Sequence, residues 1–507
     1  MFGSTTTTLA LALFVTTFPA VRGQYTWPDP KYEELESLRW DQIGLGSTFL
    51  ELGLTGSCTA FVGGSNTGRA NAADWIRTAY HDMATHNSED GTGGLDASIR
   101  FPEEQARAEN AGDGFLDTFN FLSAASDRFV SYADIIAIGA IIAIESCGGP
   151  EIDFRFGRID ATEPNIPGVP EPRQTLDEHI ASFRKQGFNQ SEMISLIACG
   201  HSFGGVQHTA FPDLVPELND TTNTQSAVHF DTTFTNFDNN VAKEYIAGTT
   251  LNPLVVGSND TTNSDKRIFG SDGNVTMNAF AADENLYANI CAALFARMLD
   301  TVPSGVVLTD VVTPIPVKPT QVELIHHGDG TLLFNGGSLR LWNVPVNTAR
   351  AVNASWTDRA GVESPSVVLR HTSGMYPSAS IVVNETSAVA SFRFVVSDDS
   401  SVAAQTFTMP YLVLLSDTSC RLSNTIPSAW NLNVAVRKGT IPSRIYATRL
   451  NVLPAPTVEY AEYDIWTVLI LSDDDTFNSY GISYELDGKT FEVLTSIVSV
   501  ASVGLCA

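Results

Sequence analysis

A change in hydrophobic period past the middle of the chain constrains its fold more than any other feature. Before the change, apolar residues recur at helical spacing in Ile135 to Ile144, Glu192 to Cys199 and Leu286 to Leu299, with Asn, Asp and Gly loops between. After it come short runs rich in Val, Ile, Thr and aromatics, such as Thr331 to Phe334, Ala390 to Val396, Leu432 to Val436 and Thr457 to Leu471. Pro314, Pro316 and Pro319 stand between the two patterns and read as a linker. At 507 residues, with 43% hydrophobic content, the chain can build more than one core. The expected order is a mainly α domain over 24–302, a Pro-rich linker over 303–320, and an all-β, sandwich-like region over 321–507 of one or two domains.

The apolar stretch Leu9 to Val21, followed by Arg22, Gly23 and Gln24, reads as a secretory signal peptide over 1–23, although no basic residue precedes it. No other stretch has the ~18 apolar residues that span a bilayer, so no membrane partner is expected. A net charge of −28 argues against nucleic acid as a partner. In a secreted chain, the sequons at Asn189, Asn219, Asn259, Asn274, Asn353 and Asn384 are candidate glycan sites. Six cysteines fit disulfides in an oxidising compartment. Cys420 and Cys506 share the C-terminal region and are expected to pair, while Cys58, Cys147, Cys199 and Cys291 allow three pairings.

Two histidines lie in separate helical contexts. In Arg77-Thr78-Ala79-Tyr80-His81-Asp82, a cation and a titratable base stand four residues apart, on one helix face. In Leu196-Ile197-Ala198-Cys199-Gly200-His201-Ser202-Phe203-Gly204, the second histidine ends an apolar helical run. Such a pair could grip a cofactor between two helices. Alone, Arg-x-x-x-His is more often an ordinary helix face with a satisfied histidine.

These two segments resemble the distal and proximal motifs of the plant, fungal and bacterial haem peroxidase superfamily. The resemblance continues through Gly93 to Ser98, Glu109 to Gly112, Ser131 to Asp134, Gly148 to Pro150, Gly157 to Asp160 and Phe230 to Thr233, and covers roughly residues 25–302. Its closest flavour is the secreted fungal group called hybrid type B. It implies haem b, two calcium ions, hydrogen peroxide and a small organic reductant. It also favours Cys58 with Cys147.

The resemblance assigns roles residue by residue. His81 is the base that moves a proton between the peroxide oxygens, Arg77 the cation facing developing charge, and Asn110 the carbonyl that orients His81. His201 is the iron ligand, Asp272 the buried acid that accepts its other N–H, and Phe230 the ring beside it. Tyr80 stands where the family usually has Phe or Trp. The distal calcium set is Asp82, Gly94, Asp96 and Ser98; the proximal set is Ser202, Asp231, Thr233, Asn236 by its carbonyl, and Asp238.

Other assignments are disfavoured. The three positions of a manganese-oxidising site carry Ala70, Asp74 and Gln207, and a surface tryptophan for long-range oxidation would fall at Leu196. Pro167, Pro170 and Pro172 lie where the family builds the mouth of its haem-edge channel, so small phenols or similar donors are the expected substrates. A binding protein on a retained scaffold should have lost Arg77, His81 or His201, and none is lost. A hydrolase using His81, Asp82 and His86 lacks metalloprotease spacing. The β-rich region is a candidate for contact with cell wall or polymer.

Overall fold

The computed structural model describes residues 25–41, 58–125, 129–342 and, with short interruptions, 344–506. The proposed signal segment 1–23 lies outside the described residues. A mainly helical domain is followed by a β-rich region, as the two hydrophobic periods predict.

The helices that position the site are α1 (Pro30–Trp40), α2 (Asn71–Met83), α3 (Tyr132–Ser146), α4 (Leu176–Lys185), α5 (Gln190–Gly200) and α6 (Glu284–Leu299). α3 is buried along almost its whole length, which explains its run of Ile and Ala, and α2 packs on it. α2 turns Ala72, Trp75, Ile76, Ala79 and Met83 into the core. Ile76 and Met83 each contribute roughly 1.5–3 kcal/mol when fully buried, and the alanines less than about 1 kcal/mol. Capping boxes start α4 at Thr175 with Glu178 and α5 at Asn189 with Glu192. The disulfide Cys199–Cys291 ties α5 to α6 two residues before His201. Cys58–Cys147 and Cys420–Cys506 are also bonded, matching the two expected pairs.

In the β-rich region one central sheet has its two faces on different cores. Its strand order is Ser380–Asn384, Thr331–Asn335, Glu323–His326, Val413–Ser416, Ser428–Arg437, Tyr463–Ser472, Pro456–Glu459. Alternation along the strands divides the side chains. Leu414 and Ala435 join a core with Phe392, Phe394 and Val352 from a second sheet. Val413, Leu415, Val434 and Val436 join another with Ile445, Ile482 and Tyr484 from a third. The expected one or two sandwiches are therefore two cores that share a middle layer.

The boundaries differ from expectation. The stretch 303–320 is not a free linker. Thr309 N–H donates to Phe156 O at 2.9 Å and Val312 N–H to Phe154 O at 2.8 Å, and Val312 is buried in the helical core. Val317–Thr320 is an edge strand paired with Ser338–Leu341. Proline lacks a donor, yet it suits an edge, so Pro319 marks a strand and no flexible tether. At the other end, Trp27 belongs to the β-rich core, with its ring edge-on to Phe392 at 5.0 Å and Phe407 at 5.6 Å.

A buried charged seam joins the two parts. Lys318 Nζ donates to Glu36 Oε2 at 2.6 Å, Asp41 Oδ2 at 3.0 Å and the Glu33 carbonyl at 2.9 Å. Arg340 donates to Asp41 Oδ1 at 2.5 Å and to Glu36. All four ionic side chains are buried, and the two cations balance the two carboxylates.

Candidate active site

α2 presents Arg77 and His81 on one face, four residues apart. His81 Nδ1 lies 2.7 Å from Asn110 Oδ1. The Asn110 amide is oriented by its Nδ2, which donates to the Glu104 carbonyl at 2.8 Å. A carbonyl oxygen only accepts, so Nδ1 carries the hydrogen and Nε2 keeps its lone pair. Burial and the neighbouring Arg77 charge pull the His81 pKa down to about 3, against the opposing Asn110 bond. His81 is therefore uncharged near neutrality, with an Nε2 lone pair free to accept a proton. Arg77 Nη2 donates to the Ala111 carbonyl at 3.0 Å, and its guanidinium lies over Phe115 at 4.5 Å. Burial lowers its pKa to about 10, which leaves it charged near neutrality.

His201 stands at the C-terminal end of α5. Its Nδ1 lies 2.7 Å from Asp265 Oδ2, and that oxygen also accepts from Asn252 Nδ2 at 2.8 Å. Asp265 is 1% exposed, so its charge is shielded from water. The His201 ring stacks on Phe230, with centroids 3.9 Å apart and planes 11° from parallel. Donation from Nδ1 leaves Nε2 as the available ligand atom.

A cavity of about 470 Å³ separates the two histidines. Arg77, Tyr80 and His81 line it from the α2 side, and His201, Phe203 and Phe230 from the α5 side. Phe183, Leu196 and Ile268 add apolar wall. A concave, mostly apolar site with a few convergent polar groups is the usual form of a cofactor pocket. The donor set fits haem: one imidazole with a free Nε2 and a carboxylate behind it, and an opposed base and cation. Tyr80 is a half-buried wall residue stacked on Phe183 at 6.1 Å, and desolvation raises its phenol pKa. Pro170 and Pro172 line the cavity. Ala70, Asp74 and Gln207 also line it, with Asp74 ion-paired to Arg69 at 2.8 Å.

Asp272 is corrected. It makes no bond to His201 among those described; its carboxylate accepts the backbone N–H of Val275 at 3.0 Å and of Thr276 at 2.9 Å. It caps the helix Val275–Ala282, and Asp265 takes the place behind His201. The two acids sit in identical dipeptides, Ser264-Asp265 and Ser271-Asp272, seven residues apart. Burial distinguishes the two, and it is a property of the fold.

The two expected calcium sets differ. In the proximal set, Asp231 Oδ2 is buried with no hydrogen-bond partner. Burial, then repulsion from Asp238, raises the Asp231 pKa to about 7. Asp231 Oδ1 accepts from Thr233 N–H at 2.9 Å. Asp238 accepts from the Asn240 backbone N–H at 2.7 Å, and Asn236 N–H donates to the Thr233 carbonyl. Ser202 Oγ is 2.6 Å from the Tyr287 hydroxyl. An orphaned buried carboxylate oxygen beside a second acid fits a hard cation. The distal set does not fit one, because Asp82, Asp96 and Ser98 already have protein donors. Gly94 N–H donates to Thr85 Oγ1 at 3.1 Å. Among the described residues no cluster of three or more His, Cys, Asp or Glu is arranged to hold a metal, and no helix is long and apolar enough to cross a membrane.

Residues 62–294 match the protein-family model described as peroxidase. The chain is 37% identical over 343 residues to a WSC domain-containing protein of Arthroderma benhamiae, covering 67% of this chain and 46% of that protein. That alignment is longer than the peroxidase match, so the likeness extends beyond the helical domain. It is 33% identical over 129 residues to the peroxisomal L-ascorbate peroxidase 5 of Arabidopsis thaliana, covering 25% of this chain and 46% of that one. It is 32% identical over 135 residues to the mitochondrial cytochrome c peroxidase of Yarrowia lipolytica, covering 25% and 39%. The chain spans less than half the length of these curated relatives.

Proposed function

From a peroxidase-type domain over residues 62–294, we propose that this chain is a haem peroxidase that reduces hydrogen peroxide and oxidises small phenolic or similar donors in one-electron steps. One observation carries the reading: His81, held by Asn110, and His201, held by Asp265, face each other across a single cavity with Arg77 beside the first.

Haem, when bound, supplies a redox-active iron that accepts oxidising equivalents from peroxide and releases them singly to a donor. His201 Nε2 would ligate the iron, and the Asp265 carboxylate strengthens that imidazole as a donor. Phe230 fixes the ring plane by stacking. His81 Nε2 takes the proton from one peroxide oxygen and returns it to the other as the O–O bond breaks. Arg77 stabilises the negative charge that develops on the departing oxygen.

The proximal residues Asp231, Thr233, Asp238, Asn236 and Ser202 are proposed to hold one calcium ion, supported by the orphaned Asp231 oxygen. Secretion is supported by three disulfides and by the apolar N-terminal stretch, and the hybrid type B assignment by the motif order. Contact of the β-rich region with wall or polymer belongs to the same extracellular reading.

The test is an absorption spectrum of the purified protein with haem, before and after one equivalent of hydrogen peroxide. A Soret band that shifts with peroxide and recovers on adding a phenol is the expected result. A well-folded protein that takes up no haem overturns the proposal, and a haem band unmoved by peroxide refutes the roles of His81 and Arg77.

A further inference from the structure

The segment that leads to the cavity rim crosses the loop after α2 and places one side chain in it. Asn165 Nδ2 lies 3.0 and 2.9 Å from the two carboxylate oxygens of Asp96, 3.0 Å from Ser98 Oγ and 3.2 Å from Thr85 Oγ1. One amide nitrogen thus sits among the oxygens that a distal cation would need. Asp82 is also taken: its Oδ2 accepts the N–H groups of Asp96 at 2.8 Å and Ala97 at 2.7 Å, and its Oδ1 that of Ile99 at 2.9 Å.

The position of Asn165 is fixed by its own backbone. Its N–H donates to Glu104 Oε1, and its carbonyl accepts from Arg107. Nearby, Ala161 N–H donates to the Asp96 carbonyl at 2.7 Å, and Arg100 donates to the carbonyls of Ala97 and Ala161. Arg100 thus lies close enough to favour the ionised Asp96, and Arg107 pairs with Glu104 at 3.7 Å. A bound calcium gathers six to eight oxygens at about 2.3–2.6 Å. Here a nitrogen donor stands at hydrogen-bond distance from those oxygens.

We propose that the distal half of this domain is cation-free, and that the Asn165 carboxamide fills the place of the calcium ion that the family resemblance implies. Asn165 then does the ion's mechanical work. It ties the loop held by Asp82, the residue after His81, to the segment that continues into Pro170 and Pro172 at the cavity wall. The assignment is independent of catalysis and stands whether or not the proximal site holds calcium.

The test counts calcium in the full-length protein by elemental analysis after exchange into metal-free buffer, for wild type, Asp96→Asn and Asp238→Asn. The proposal expects wild type to hold no more than one ion per chain, with the count unchanged in Asp96→Asn. Two ions in wild type, or loss of one in Asp96→Asn, overturns it. If Asp96→Asn does not fold, terbium luminescence of wild type and Asp238→Asn decides. A site that survives Asp238→Asn overturns the proposal, and its disappearance supports it. No bound ion at all supports the distal assignment and refutes only the proximal one.

Discussion

His201 Nδ1 and Asp265 Oδ2 lie 2.7 Å apart although sixty-four residues separate them in the chain. The same carboxylate oxygen accepts from Asn252, so three segments fix one imidazole. Removing the charge while keeping the shape isolates its effect. Asp265→Asn is expected to bind haem and to lose about 10–100-fold in reaction rate or haem affinity. A stopped-flow measurement of the peroxide reaction checks this, together with the ferric/ferrous potential, which should rise.

Asp272→Asn is the matched control. Asp272 contacts the first turn of Val275–Ala282 and no atom of His201 among the described bonds. Its substitution should cost roughly 0.5–2 kcal/mol of stability, the scale of a lost cap, with the peroxide rate within twofold of wild type. Denaturant melts and the same stopped-flow assay separate the two effects. A potential shift in Asp272→Asn equal to that of Asp265→Asn would reverse the assignment.

His81 gives a pH signature. Its folded-state pKa is near 3, below the ordinary histidine value, because burial and Arg77 disfavour the charged ring. Catalysis needs the neutral form, so the rate with peroxide should be flat from neutral pH downward and fall only as pH approaches 3. The stability sign follows from linkage. A depressed pKa contributes stability that is full above the unfolded value and is lost as pH falls towards 3. His81→Leu should slow the peroxide reaction by about 10²–10⁴-fold and remove this titration from the rate profile.

The charged seam predicts asymmetry between its members and the surface. Lys318→Met leaves Glu36 and Asp41 buried with one cation fewer and should cost about 3–5 kcal/mol. The exposed pair Lys266–Asp260 is the comparison, and Lys266→Met should cost about 1 kcal/mol or less. Equilibrium unfolding of both variants checks the difference.

Much of the site was legible because its signals are local. Arg77 and His81 share one helix face, and Asn110 precedes a turn. The break between helical and alternating periods marked the two parts. What escaped was set by long-range packing. Asp265 and Asp272 share a dipeptide, and only burial distinguishes them. Asn165 carries no local signal, because its four contacts come from segments 67 to 80 residues away. Lys318 falls in the stretch expected to be a linker, yet it is 1% exposed because its partners lie on α1 and at its C-terminal cap, more than 270 positions earlier. The shared middle sheet was hidden for the same reason: alternation shows that two faces differ, but not that both are covered.

The seam bears on how such a chain could be assembled from parts. Residues 25–41 open the helical domain, with Leu35 and Leu38 in its core, but Trp27 fills the far core and Glu36 and Asp41 answer Lys318 and Arg340. A genetic exchange that replaced everything after residue 312 would import a new ending and leave its counterpart behind at the opposite terminus. The two regions are thus stitched across the length of the gene, and a workable transplant has to carry both ends together.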